Sequence, residues 1–212
     1  YENGFVLIVP RKIEPYKMPT FEPSKKLYNT MQESNKWGKL LKVDTVGGLN
    51  DIIASGGLKD LILVQEALHE KKIAGIADDI FKSGKRLVFI AGPSSSGKTT
   101  FSYRLTVQLR TLGLTPHPIG IDDYFVNREN TPRDADGKFN YECLEAIDVV
   151  QFNDDMTALL NGESVKLPSY NFISGMREYK KAPFEIGSKD ILVIEGIHGL
   201  NSKLTHNFKT ED

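Results

Sequence analysis

The stretch Ala91-Gly92-Pro93-Ser94-Ser95-Ser96-Gly97-Lys98-Thr99-Thr100 follows the apolar run Leu87-Val88-Phe89-Ile90 and precedes a segment in which Phe101, Leu105, Leu109 and Leu112 recur at helical spacing before Gly113. It fits G-x-x-x-x-G-K-[ST] in strand, loop, helix order, the arrangement of a P-loop. Gly92 and Gly97 free the backbone to curl its N–H groups around an anion, and the helix that begins at Lys98 adds the positive end of its dipole. A polyphosphate is the expected guest, cradled by Gly92, Pro93, Ser94, Ser95, Ser96, Gly97, Lys98, Thr99 and Thr100. Lys98 reaches β- and γ-phosphates as a mobile charge, and the Thr99 hydroxyl completes the shell of a Mg²⁺ ion.

Downstream, Pro116 to Phe125 reads as a second buried strand with Asp122 and Asp123 at its C-terminal end, the edge at which open parallel sheets bind ligands. Asp122 is placed to accept the proton of an attacking hydroxyl, whereas Asp123 reads as a cap or turn acid. Residues 127–138 are polar and read as a loop able to close over a substrate. Asp148 caps a helix through Val149, Phe152, Met156, Leu159 and Leu160 that stops at Asn161-Gly162. Residues 165–172 read as an exposed strand or arm running towards Arg177. The run Asp190-Ile191-Leu192-Val193-Ile194-Glu195-Gly196 is apolar enough to be buried on both faces, and Glu195 at its end stands where a Walker-B acid holds Mg²⁺. His198 reads equally as a phosphate or substrate contact and as a packing residue. His117 and His206 belong to no constellation, and His69 lies on a solvated face without a metal role.

Upstream, Phe5 to Val9 reads as a strand and Pro15, Pro19 and Pro23 as marks of an extended connector. One or two short helices follow between Pro23 and Val43, with Ser24 as a cap and Gly38 interrupting. The Gly47-Gly48 and Gly56-Gly57 pairs read as turns around a small helix at Asp51 to Ala54, and Leu58 to Phe81 as a helix that couples the two parts of the chain. The reading is therefore an α/β chain. A small, mostly helical module at 1–84 precedes a P-loop NTPase-type parallel sheet flanked by helices at 85–212, incomplete at its C-terminus. The start at Tyr1 and the ending Lys209-Thr210-Glu211-Asp212 suggest a segment of something longer.

Composition sets limits on function. The 212 residues are 40% hydrophobic with a formal charge of −1, and no stretch is apolar enough to span a membrane. Basic residues number 14 against 11 acidic ones up to Arg86 and 13 against 17 beyond it. Neither part is the polycation that would announce nucleic acid, although the weakly basic N-terminal module leaves room for RNA or a protein partner. A single cysteine, Cys143, excludes an internal disulfide and suits a reducing, cytoplasmic compartment.

Taken in order, the P-loop, Asp122-Asp123-Tyr124-Phe125, Tyr141-Glu142 ahead of Ala146-Ile147-Asp148, Leu167 to Phe172 with Arg177, and Ile194-Glu195-Gly196 resemble the uridine kinase and phosphoribulokinase family. More closely, the runs around Pro93 to Phe101, Tyr124 to Arg128, Glu195 to Asn201 and Ala67 to Ala74 are similar to bacterial uridine-kinase-like proteins with a threonyl-tRNA-synthetase-like N-terminal region. The resemblance implies ATP and Mg²⁺ as cofactors, with Lys98 and Thr99 on the phosphates and metal. It implies Asp122 as base for a sugar hydroxyl, Glu195 as metal support, and Tyr124, Phe125, Glu142, Tyr170, Phe172 and Arg177 around a nucleoside. Glu142 stands where the family has an aspartate, and Gly175 where it has a base-reading histidine. The family's lid arginines follow the third apolar strand and are not in this chain. The expected activity is ATP-dependent phosphoryl transfer to a nucleoside or related sugar-containing small molecule. An ATP-binding regulatory module with a drifted pocket is the alternative. Homo-oligomerisation is compatible with either.

Overall fold

The computed structural model describes residues 25–180, 182–206 and 208. The expected strand at Phe5–Val9, the proline-marked connector and the Ser24 cap lie outside them. Residue contacts divide the chain into two compact units, Tyr1–Gln65 and Glu66–Asp212.

In the first unit, α1 (Lys25–Leu40) and α2 (Val46–Ala54) are followed by the start of α3 (Leu58–Ser83). Two glycine readings need correction. Gly38 does not interrupt α1; it lies in the last turn, where its carbonyl accepts the Val43 N–H at 2.8 Å. Gly47-Gly48 is not a turn but the first turn of α2. There Thr45 caps the helix by accepting the Gly48 N–H at 3.0 Å. A Cβ on Gly48 would stand 2.4 Å from the Lys42 carbonyl oxygen, so the glycine serves a close backbone approach inside a helix.

In the second unit, the remainder of α3 leads into β1 (Leu87–Ala91), α4 (Lys98–Thr111), β2 (Thr115–Gly120), α5 (Val149–Leu160), β3 (Ser169–Asn171), β4 (Met176–Glu178) and β5 (Asp190–Gly196). The sequence reading put the junction of the two parts at residue 84. The contacts group Glu66–Ser83 with the second unit, because Ile73 and Ala77 of α3 are buried in one cluster with Ile90, Leu105, Leu109, Ile191 and Val193.

The main sheet has the order β1-β5-β2, all parallel. β5 is central and buried from Ile191 to Ile194, as its unbroken apolar run requires. β2 tolerates Pro116 and Pro118 because Thr115 turns its N–H to the Lys189 carbonyl at 2.9 Å, which leaves residues 116 and 118 facing away from β5. The opposite face carries a second cluster in which Phe152 of α5 meets Phe89, Tyr124 and Phe208. Strand β2 is shorter than the sequence suggests. It ends at Gly120, and Ile121–Tyr124 form one turn of 3-10 helix. The arm at 165–172 is not free either, for β3 pairs antiparallel with β4 as a hairpin.

His117, which sequence reading left without partners, sits on β2 beside the first residue of β5. Its Nε2 is 2.6 Å from Asp190 Oδ1, and Asp190 Oδ2 accepts the Gly187 N–H at 2.6 Å. Partial burial works to raise the Asp190 carboxyl. The hydrogen bonds from His117 and Gly187 and the charges of His117 and Arg86 outweigh it and hold the group below the usual aspartate range. A depressed folded-state pKa gives stability that is present above the unfolded value of about 4 and is lost as pH falls through the folded value. Urea midpoints measured between pH 6 and 3 are accordingly expected to fall less steeply for Asp190→Asn than for the unsubstituted chain. Equal slopes would show that this pair does not couple to folding.

Candidate functional site

The three parallel strands finish together, with Ala91 opposite Gly196 and Gly120 opposite Glu195. Their C-terminal ends therefore deliver three connections to one edge. The first is the glycine-rich loop. Gly97 has φ +86° and no Cβ to strain, and Ser95 also takes a left-handed φ of +58°. At Gly92 a Cβ would lie 2.7 Å from Ser96 Oγ, so the serine would have to turn aside for a larger residue. Pro93, Ser94, Ser95, Ser96, Gly97, Thr99 and Thr100 are exposed, so the loop offers its backbone to a ligand. Lys98 folds back over it and donates from Nζ to the Pro93 carbonyl at 2.9 Å.

The second connection is the 3-10 turn after β2. Asp122 projects at its solvent side, yet the walls around it are dense enough that partial desolvation pushes its carboxyl above the ordinary aspartate range. Glu195 and Asp123 push the same way, against Lys98 and His198. Asp123 turns inward, and its Oδ1 accepts the Tyr170 N–H at 3.2 Å and the Ser169 hydroxyl at 3.4 Å. It anchors the hairpin, in keeping with its reading as a turn acid.

The third connection leaves β5. The Thr99 hydroxyl donates to Glu195, with Oε1 at 2.9 Å and Oε2 at 3.1 Å. A hydroxyl and a carboxylate side by side are hard oxygen donors, the set that suits Mg²⁺ with water and phosphate filling its other positions. Among the described residues no group of three or more His, Cys, Asp or Glu side chains is arranged to hold a metal ion by itself. Gly196 and Gly199 keep this corner tight. Added Cβ atoms would meet Ile121 at 2.7 Å and the Ile90 carbonyl oxygen at 3.0 Å. His198, left open between two roles, donates from Nε2 to the Glu142 carbonyl at 3.0 Å and so ties the β5 turn to residues 140–143.

The residues expected around a nucleoside divide. Glu142 is exposed, and Phe172 is 58% exposed on the hairpin tip. Phe125 and Tyr170 are each 5% exposed, with ring centroids 5.5 Å apart and with Tyr141 and Phe172 packed edge-on against them. Two expectations are corrected. Tyr124 has no exposed surface, and its hydroxyl donates to Asp155 at 3.0 Å, so it is a core residue. Arg177 directs both terminal nitrogens to Asp148 Oδ2 at 3.0 Å, while Asp148 Oδ1 caps α5 through the Gln151 N–H at 3.1 Å. It joins the hairpin to α5.

Sequence reasoning assigned no role to Arg128. Its Nε donates to the Tyr141 hydroxyl at 3.3 Å, and its terminal nitrogens donate to the carbonyls of Ile173 and Phe172. Burial acts to raise the Tyr141 hydroxyl but is outweighed by hydrogen bonds with Tyr170 and Arg128, which hold it below the usual phenol range. Gly175, buried at φ +73°, lies directly against this arginine. A Cβ there would stand 2.7 Å from Nε and 2.8 Å from Cβ and Cζ of Arg128. Arg128 thus occupies the space a side chain at 175 would need. Gly175→Ala is expected to cost about 2 kcal/mol, from left-handed strain and overpacking. Thermal unfolding should show part of that loss restored in Gly175→Ala/Arg128→Ala; strictly additive losses would mean that the two positions are independent.

Comparison with known proteins gives a consistent result. Residues 87–208 match the model of the family described as Phosphoribulokinase / Uridine kinase family. A uridine kinase from Macrococcus caseolyticus is 32% identical over 119 residues, covering 56% of this chain and 56% of that protein. A uridine kinase from Mycoplasma genitalium is 33% identical over 111 residues, covering 52% and 51% respectively. A solved structure described as a possible uridine kinase from Bacillus stearothermophilus superposes with a TM-score of 0.53 at 23% identity, over 66% of this chain and 77% of that one, which is a likeness of fold. The chain spans about half the length of these curated relatives.

Proposed function

The chain belongs to the phosphoribulokinase / uridine kinase family, and on that footing we propose that its second unit is the core of an ATP-dependent kinase acting on a hydroxyl of a nucleoside or a related sugar-bearing small molecule. The observation that carries this reading is the Thr99–Glu195 hydroxyl–carboxylate pair, set beside Lys98 with the desolvated Asp122 on the same sheet edge.

In the proposed mechanism the backbone N–H groups of residues 92–98 and the Lys98 ammonium hold the phosphates of ATP. Asp122 orients the acceptor hydroxyl in line with the γ-phosphate and takes its proton as the new O–P bond forms, while ADP departs along the loop. Thr99 and Glu195 would hold Mg²⁺, which supplies neutralisation of the charge on the transferred group. The buried aromatic floor of Phe125 and Tyr170 and the exposed Phe172 face suit a ring-bearing acceptor. The enzyme is expected to work in the cytoplasm.

A second reading is favoured by one observation. Gly175 offers no side chain and Arg128 fills its space, so a direct contact to a pyrimidine edge from this position is missing. That suits either another acceptor or a nucleotide-binding regulatory module. Assay of the protein with Mg·ATP over a panel of nucleosides and sugar phosphates decides between them. A phosphorylated product from one acceptor supports the kinase. ATP binding with no acceptor-dependent turnover would support the module.

A further inference from the structure

The turn that leaves β5 meets residues 140–143 through His198, whose Nε2 donates to the Glu142 carbonyl at 3.0 Å across 56 positions of sequence. The half-buried ring is mounted on a firm base. Gly199 is buried and donates its N–H to the Gly196 carbonyl at 3.3 Å, and the Asn201 N–H donates to the His198 carbonyl at 2.8 Å, so residues 196–201 run in tight turns directly from the buried strand. The Asn201 side-chain nitrogen lies 3.5 Å from Nδ1, the arrangement in which Nδ1 accepts and the ring proton sits on Nε2. The stretch it grips is turned on itself. Asn140 Oδ1 accepts the Glu142 N–H at 3.0 Å, and the Cys143 thiol donates to the Asn140 carbonyl at 3.2 Å. Tyr141 and Cys143 pack against the aromatic cluster, whereas Glu142 between them is exposed.

We propose that His198 is a positioning residue for the acceptor: it fixes residues 140–143 to the end of β5 and so sets the reach between Asp122, which takes the proton, and Glu142, which holds other hydroxyls of the same molecule. This rests on the kinase reading above. Asp122 stands on the turn after β2 and Glu142 on the stretch ahead of α5, so the two carboxylates belong to different segments. An acceptor gripped by both needs them at a set separation, because a small misplacement of the attacking hydroxyl costs more than one hydrogen bond supplies. His198 follows Glu195 by three residues, and it is near enough to Asp122 to bear on that carboxyl. The acceptor loop is thereby registered to the strand end that carries the metal-side acid. Glu142 grips the acceptor before and during the transfer alike, so loosening it should weaken acceptor binding rather than slow the bound complex.

Cys143 is the single cysteine of the chain, so its alkylation by iodoacetamide reports on this stretch alone and needs no acceptor. In the full chain the rate is expected to be about five- to tenfold higher for His198→Ala, the effect of one lost hydrogen bond on local opening. His198→Gln keeps an N–H able to reach the same carbonyl and should stay within about twofold of the unsubstituted rate. Equal rates in all three chains, or equal acceleration in both variants, would overturn the proposal. Steady-state kinetics with Mg·ATP and uridine, or with whichever panel acceptor is turned over in its place, supply the second arm. KM for the acceptor should rise about five- to tenfold in His198→Ala with kcat within about twofold, KM for ATP unchanged, and recovery in His198→Gln. A loss on kcat alone, or one shared equally by ATP and acceptor, removes His198 from acceptor positioning. If the unsubstituted chain turns over no nucleoside or sugar phosphate, the kinase reading fails and the positioning role with it, whereas the alkylation rates still show whether His198 holds the loop.

Discussion

Asp122→Asn is expected to lower acceptor-dependent phosphoryl transfer by about 10²–10⁴-fold, the contribution of a positioned general base. Nucleotide affinity should change little, because Lys98 and the loop remain. The carboxamide keeps the size and position of the side chain on the 3-10 turn but cannot take up a proton, so the loss should fall on kcat. The pH profile supplies an independent check. Desolvation, reinforced by Glu195 and Asp123, raises this carboxyl. A base must be ionised to act, so kcat/KM should climb with pH through a limb above the ordinary aspartate range, and that limb should vanish in Asp122→Asn. Persistence of the limb in the variant would assign it to another group and remove Asp122 from the reaction.

The largest effect on stability is expected from Phe152→Ala, at about 3–5 kcal/mol, a large part of the roughly 5–15 kcal/mol that holds a typical domain. Phe152 has no exposed surface. Its ring centroid lies 5.2 Å from Tyr124, 6.5 Å from Phe89 of β1 and 6.3 Å from Phe208. Truncation leaves a cavity between α5 and the sheet that rigid strand residues cannot refill, and it loosens Tyr124, the last residue of the turn that carries Asp122. Urea unfolding should show a lower midpoint at unchanged slope. A stability loss below about 1 kcal/mol would mean that the site collapses around the missing ring.

What the sequence discloses about this molecule depends on how local the determining physics is. β1, the P-loop, α4 and β5 are legible because each is fixed by a contiguous pattern: an apolar run, two glycines at set spacing, a helical repeat. Asp148 as the cap of α5 is legible for the same reason. The His117–Asp190 pair is not, because it depends on the register of two parallel strands 73 residues apart. The Gly47-Gly48 pair reads as a turn because glycine is a turn former by propensity, whereas here Gly48 answers to the backbone of Lys42. Tyr124 and Arg177 follow the motif order of the site but are turned inward, one to Asp155 and the other to Asp148, and a motif does not report side-chain direction. The exchange between Gly175 and Arg128 joins two loops and becomes visible only in three dimensions.

The two prolines of β2 give the sheet a closed margin and an open one. Residues 116 and 118 face outward and have no N–H to offer, so a strand approaching that side finds no ladder to join. On β1 the pattern is reversed. Arg86 turns its carbonyl to Leu192 of β5, which leaves Leu87, Phe89 and Ala91 with both donor and acceptor pointing away, and among the described residues no strand lies there. Any further strand, from the same polypeptide or another, therefore enrols beyond β1 and not beyond β2. Each such addition would move the phosphate loop from the rim of the sheet towards its middle, between strands on both flanks.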